Sequence, residues 1–275
     1  MIGLVMVLQF GCAKHNVKSK DIPTAESIFA AYQSASFSEE AQELELRNLH
    51  TVGTIEMALL PEPLLLDSWI IDDKGSRTVM TIPGMGDVVE AYNLEYAWTI
   101  DPTSGDRLKE GADFEYAVKE FNRAFVNDYS QLYSDAVVVG ADVYADKDVW
   151  KITAKDAING SKATLYFTQK DSLLVGEHRV VEQDKGSMKM KMSYDTYDWV
   201  DGMYMPVEMT IKAMGINQHL SLTEVTVNNE VTPDIVIPAS IQAFIDENSD
   251  TEDTPEQETE TVTEPEAEST ESVPE

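Results

Sequence analysis

The chain holds a single cysteine, Cys12, in 275 residues. It cannot staple its own fold with a disulfide, so order has to come from a packed core. Basic residues are scarce: 20 Lys and Arg face 50 Asp and Glu, for a formal net charge of −30. No basic stripe is present to neutralise phosphates, which argues against nucleic acid as a partner. The same deficit argues against simple electrostatic docking on anionic lipid. Membrane-spanning length is missing from the apolar run that opens the chain. Ile2 to Phe10 is nine residues, whereas a helical span takes about 20. Catalytic signatures are missing as well. There is no HExxH, GxSxG or phosphate-loop motif, and His15, His50, His178 and His219 show no metal-ligand spacing. No enzyme, metal or cofactor is therefore expected.

The one cysteine stands where it carries meaning. It closely follows Ile2–Phe10, whose length matches the apolar region of a secretory signal, about 7–15 residues. Gly11 precedes it directly and Leu8 stands four positions before it, close to the pattern at which bacterial lipoproteins are cut and acylated. Residues 1–11 are expected to be a signal peptide, Cys12 the lipidation site, and residues 12–21 a polar tether. The competing reading is a frayed terminus with an incidental cysteine, since no Lys or Arg precedes Lys14. An acyl anchor would place the protein in the bacterial cell envelope, on the periplasmic side of a membrane, the outer membrane first.

The other end is poor in apolar residues. From Asp246 to Glu275 there are 13 acidic residues and no Lys or Arg, among recurring Thr, Glu and Pro. Such a segment buries too little surface to offset chain entropy. It is expected to be a disordered, self-repelling tail. Residues 22–245 remain as one domain.

Within that domain the spacing predicts a helix over 24–35. Asp21 or Thr24 can cap it, Pro23 suits the entry, and Ile28, Phe29 and Tyr32 form a stripe. A second short helix is expected near 38–46, with Ser38 as its cap and Leu44 as an apolar contact. A helical insert is expected at 112–127, where Phe114, Val118, Phe121 and Phe125 recur at spacings of three and four. The rest alternates in short runs: 46–58, 65–73, 76–82, 87–92, 95–100, 136–143, 147–155, 162–168, 173–182, 186–198, 203–213 and 218–227. Asn159-Gly160 between two such runs signals a type I′ hairpin. Neighbouring strands with hairpin links make an antiparallel sheet, and a sheet this large must curl or close. The expected class is α+β, mainly β: an unclosed, about eleven-stranded antiparallel half-barrel with a helical lid over one face.

Two apolar features stand out. Met188, Met190 and Met192 alternate with Lys189 and Lys191, so they share one face of a strand. Met203, Met205 and Met209 share a face of the next. If register aligns the two faces, the hairpin presents six methionines, a lining suited to variable apolar shapes. Met80, Ile82, Trp98 and Ile100 are further inward candidates for binding lipid. An ordinary core that uses methionine is the competing reading. The second feature is Leu59-Leu60-Pro61-Glu62-Pro63-Leu64-Leu65-Leu66. Two prolines mark it as a connection, yet connections are normally polar. Leu59, Leu60, Leu64, Leu65 and Leu66 are a candidate membrane-contact loop, or one folded under the first helix.

The stretch Met80-Thr-Ile-Pro-Gly-Met-Gly-Asp-Val-Val-Glu-Ala-Tyr92, with Tyr96-Ala-Trp98-Thr-Ile-Asp-Pro102 after it, resembles the central strands of the periplasmic lipoprotein-carrier and lipoprotein-sorting proteins, the LolA/LolB-like group. Tyr194-Asp-Thr-Tyr197-Asp-Trp-Val-Asp201-Gly202-Met-Tyr-Met-Pro206 is similar to that family's late hairpin. The resemblance covers roughly residues 22–240. It implies an unclosed barrel whose apolar cavity holds lipid or lipoprotein acyl chains, without catalysis or metal. It also implies other envelope transport proteins as partners. An anchor at Cys12 departs from the soluble carriers and looks more like the anchored acceptor, and the acidic tail falls outside the family pattern. The expected function is an anchored envelope lipoprotein that binds acyl chains in sorting or transport. The alternative is an anchored scaffold with a packed core.

Overall fold

The computed structural model describes residues 22–43, 45–126, 128–157, 160–183 and 186–252. Cys12, the signal and tether segments, Leu44, Asn159 and the chain beyond residue 252 lie outside the described residues.

The strands fall into two meanders. The first comprises β1 (Asn48–Met57), β2 (Leu64–Ile71), β3 (Gly75–Ile82), β4 (Gly86–Tyr92), β5 (Ala97–Ile100) and β6 (Arg107–Lys109). The second comprises β7 (Tyr133–Tyr144), β8 (Lys147–Asp156), β9 (Lys162–Thr168), β10 (Leu174–Gln183), β11 (Gly186–Val200), β12 (Met203–Ala213) and β13 (Ile216–Val227). All twelve alternating runs are strands. The thirteenth, β6, is three residues long and offers no alternation to detect. Pairing of β1 with β13 joins the meanders into one 13-stranded antiparallel sheet whose two edges, β6 and β7, stay apart. At that seam Gly53 is needed: a Cβ there would lie 2.4 Å from the Ser221 carbonyl oxygen.

Helix α1 (Ala25–Ser36) starts where expected, with Thr24 Oγ1 accepting from Ser27 N at 3.2 Å. Its stripe of Ile28, Phe29 and Tyr32 packs on Leu165, Phe167 and Ile152 of β8 and β9. Ser38 caps the single turn α2 (Glu39–Gln42). Helix α3 (Gly111–Arg123) links the two meanders, and α4 (Tyr129–Leu132) follows it. The α3 stripe of Phe114, Val118 and Phe121 packs on Ile70, Tyr92 and Ala97, while Tyr116 packs on Val181, Met190 and Met192. Those strands stand far apart in the sheet order. One helix can touch both sets because the sheet curves around it, so its side of the sheet is the concave one.

The helices do not all cover one face. A fifth, α5 (Ala239–Glu252), lies on the opposite, convex face. Ile241, fully buried, and Ile245 pack there with Ala91 and Trp98. This helix also crosses the expected domain border at 245. Its last turn is acidic and rich in Ser and Thr, a composition that reads as tail, while its hold on the sheet comes from Ile241 and Ile245 in the first turns.

Candidate functional site

Register decides which side chains reach the concave face, since paired residues share a side and neighbours alternate. Leu66 pairs with Met80, and Met80 with Val88. Leu64 pairs with Ile55, Ile55 with Leu220, Leu220 with Met209, and Met209 with Tyr194. Ile211 pairs with Met192. These residues, with Ile82, share the side of Ile70 and Tyr92, which carry α3. They form a continuous apolar floor across seven strands. Leu64 is buried, but Ile55, Leu66, Met80, Ile82, Val88, Met209, Ile211 and Leu220 are only half-buried. Apart from Ile211, none of these half-buried residues joins a buried cluster among the described residues.

Several expected lining residues go elsewhere. Trp98 pairs with Ala91, and Ile100 with Val89, on the convex side beneath α5. Alternation separates two faces of a strand but does not say which is inner, and here the strand ladder reverses the expectation. The six methionines do not form one stripe. Met188, Met190 and Met192 do pack together on the concave side. The β11–β12 ladder then shifts between Tyr194 and Tyr197. These irregularities break the phase, and Met203 and Met205 line a separate cavity. The leucine segment is also divided. Leu64, Leu65 and Leu66 belong to β2, with Leu64 and Leu66 in the floor and Leu65 on the other face, 56% exposed. Leu59 and Leu60 stay in the turn. Leu59 is 74% exposed, and Met85 and Met214 project from the β3–β4 and β12–β13 turns at 52% and 79%. Antiparallel pairing puts these three turns on one rim, beside the Leu64 and Ile82 end of the floor.

A cavity of about 210 Å³ lies on the concave side where the sheet splits. Pairing of β12 with β13 stops at Glu208–Ser221, while β12 follows β11 to Met203 and β13 follows β1 to Val227. Phe37 bridges Met203 and Ser38 N donates to Gly202 O at 2.8 Å, so the end of α1 fills the gap. Leu46, Leu49, Val126, Met203 and Met205 supply apolar walls, and Ser36, Arg123 and three tyrosines supply polar ones. Sequence reasoning missed Ser36 and Arg123, and also Ile55 and Leu220, which single-strand alternation could have offered as floor.

Charged groups fasten α3 to the sheet. Arg179 of β10 makes a two-pronged bond to Glu120, at 2.9 and 3.2 Å. Arg123 lies 3.0 Å from Asp156, to which Lys119 also pairs. Glu177, 2% exposed, accepts from the Tyr133 hydroxyl at 2.5 Å and the Tyr194 hydroxyl at 3.1 Å. Three cations thus face three carboxylates. Burial opposes the charge on both arginines, but the surrounding acidic groups and tyrosines outweigh it and raise their pKa. Burial lowers the Lys119 pKa despite Asp156. It pushes the Tyr116 hydroxyl up to about 12, and Tyr129, Tyr133 and Tyr194 well above the usual range. Among the described residues, no group of three or more His, Cys, Asp or Glu is placed to hold a metal.

Solved structures share this architecture. A putative outer membrane lipoprotein-sorting protein domain from Vibrio parahaemolyticus is 9% identical over 75% of this chain and 93% of its own, with a TM-score of 0.50. A DUF1329 family protein from Desulfovibrio piger is 12% identical over 75% of this chain and 94% of its own, also at 0.50. A LolA superfamily protein from Nitrosomonas europaea is 11% identical over 76% and 96%, at 0.49. The fold is LolA-like, as the sequence resemblance implied. At such identities the likeness is one of fold. No family model matches the chain, and no curated protein matches it.

Proposed function

We propose that this protein is an envelope lipoprotein that binds the acyl chains of lipid or lipoproteins on its concave face, in lipoprotein sorting or lipid transport. The observation that carries the reading is the register-continuous apolar floor left half-buried beside α3. A contiguous apolar surface without a partner marks a binding site. Each methylene taken from water contributes up to about 0.8 kcal/mol, so chain length sets most of the affinity. The lipoprotein-sorting domain of the same fold supports this direction. In this reading an acyl group on Cys12 holds the protein to a membrane, and the acidic tail keeps it clear of neighbours. Leu59, Met85 and Met214 let the rim meet the membrane and pass a chain to the floor.

The test is a double variant, Met80→Asp with Met209→Asp. Both residues are half-buried, so the fold survives, as circular dichroism will report. Uptake of a fluorescent acyl lipid should fall at least tenfold. Unchanged uptake by the folded variant would sink the assignment. Two observations favour a scaffold instead: Met190 and Met192 are each 8% exposed, and the cavity of about 210 Å³ is below the usual ligand-site range of about 300–1,000 Å³. The same experiment decides between the two.

A further inference from the structure

Among the described residues, two donors that line the cavity beside α1 lack a well-formed hydrogen bond. Ser36 is 3% exposed, and its hydroxyl, beside that of Tyr32, makes no well-formed hydrogen bond among the described residues. Arg123 Nε is buried and likewise unbonded among the described residues, with Glu120 Oε1 3.7 Å away. Both residues line the cavity, whose other walls include Leu46, Leu49, Met203 and Met205. A buried donor left unpaired costs more than the bond itself is worth. A bound ligand that supplies an acceptor here gains that difference.

The neighbouring charges decide what kind of acceptor fits. Lys119, Arg123 and Arg179 are matched by Glu120, Asp156 and Glu177. An ionised carboxylate brought into the cavity adds a fourth negative charge beside three cations that already have carboxylate partners, which is costly in a buried site. A plain alkane leaves both donors unsatisfied. We propose that this cavity selects the neutral carbonyl of an ester- or amide-linked acyl chain, which accepts from the Ser36 hydroxyl and Arg123 Nε, over a free fatty acid. This rests on the acyl-binding reading above and adds the head-end chemistry to it.

Matched ligands test the inference on the full chain: methyl palmitate, N-methylpalmitamide, palmitate and heptadecane, each titrated by displacement of a fluorescent lipid. The ester or the amide, whichever the cavity prefers, should bind about fivefold tighter than the alkane, the worth of one net hydrogen bond, and tighter than palmitate. Ser36→Ala, a small change that leaves the charge network intact, should erase that preference and leave heptadecane unchanged. Ser36→Cys, a weaker donor, should fall between. Palmitate binding best, or Ser36→Ala keeping the full carbonyl preference, would overturn the inference while leaving acyl binding standing. No binding of any of the four would overturn acyl binding itself, and this inference with it.

Discussion

Removing Glu120 tests whether the charge network fastens α3 across the concave face. In Glu120→Ala the Arg179 guanidinium, its side chain 8% exposed, loses its two-pronged partner. Among the described carboxylates Glu177 remains, 4.0 Å from Nε. Leaving a buried charge unpaired costs about 3–5 kcal/mol. Glu120 is itself 32% exposed, so water screens part of the pair and the cost drops to about 2–3 kcal/mol. For a domain of this size each 1 kcal/mol lowers Tm by about 2–4 °C. The expected drop is therefore about 4–12 °C, read by thermal unfolding in circular dichroism. Adding Arg179→Met removes the orphaned charge and should restore more than half of the loss, because apolar replacements of a buried ion pair are often near neutral. A drop under about 2 °C for the single variant, or a double variant less stable than the single, would refute the reasoning.

High pH should unfold the protein. Burial raises the pKa of Tyr32, Tyr116, Tyr129, Tyr133, Tyr194 and Tyr197 above the ordinary value, Tyr116 to about 12. In the unfolded chain they ionise near 10, so the folded state holds more protons and stability falls as pH rises through that value. Tyrosinate absorbance and loss of ellipticity should rise in one step, and gradual ionisation without unfolding would contradict this. On the convex face, Ile241→Ala should cost about 2–5 kcal/mol in denaturant unfolding, as core truncations do. A loss within about 0.5 kcal/mol, the range for surface positions, would mean that α5 does not hold the sheet.

The strands were legible because hydrophobic alternation is a local signal. Asn48–Met57 through Ile216–Val227 all show it, and the three residues of β6 are too few. The α3 stripe of Phe114, Val118 and Phe121 was equally plain. What the sequence hides is which face of a strand is inner. Trp98 and Met80 look alike as alternating apolar residues, yet the ladder sends them to opposite faces. The irregularities between Tyr194 and Tyr197 shift the phase before Met203 and Met205, and no local pattern marks them. The charge network had a faint signal, since Glu177 and Arg179 share a parity with Val181. Its partners on α3 come from 59 residues away along the chain for the Arg179–Glu120 pair, so only folding brings them together. The α5 boundary was obscured by acidic composition that outweighs its two isoleucines.

The central claim is that the concave floor holds acyl chains, and native mass spectrometry tests it most directly. The full chain with Cys12→Ala, purified from a bacterial envelope without detergent, should carry extra mass that organic extraction removes and identifies as acylated lipid or lipopeptide. The Met80→Asp, Met209→Asp variant should arrive without it. A protein that purifies at its bare mass and takes up no added acyl lipid would contradict the account.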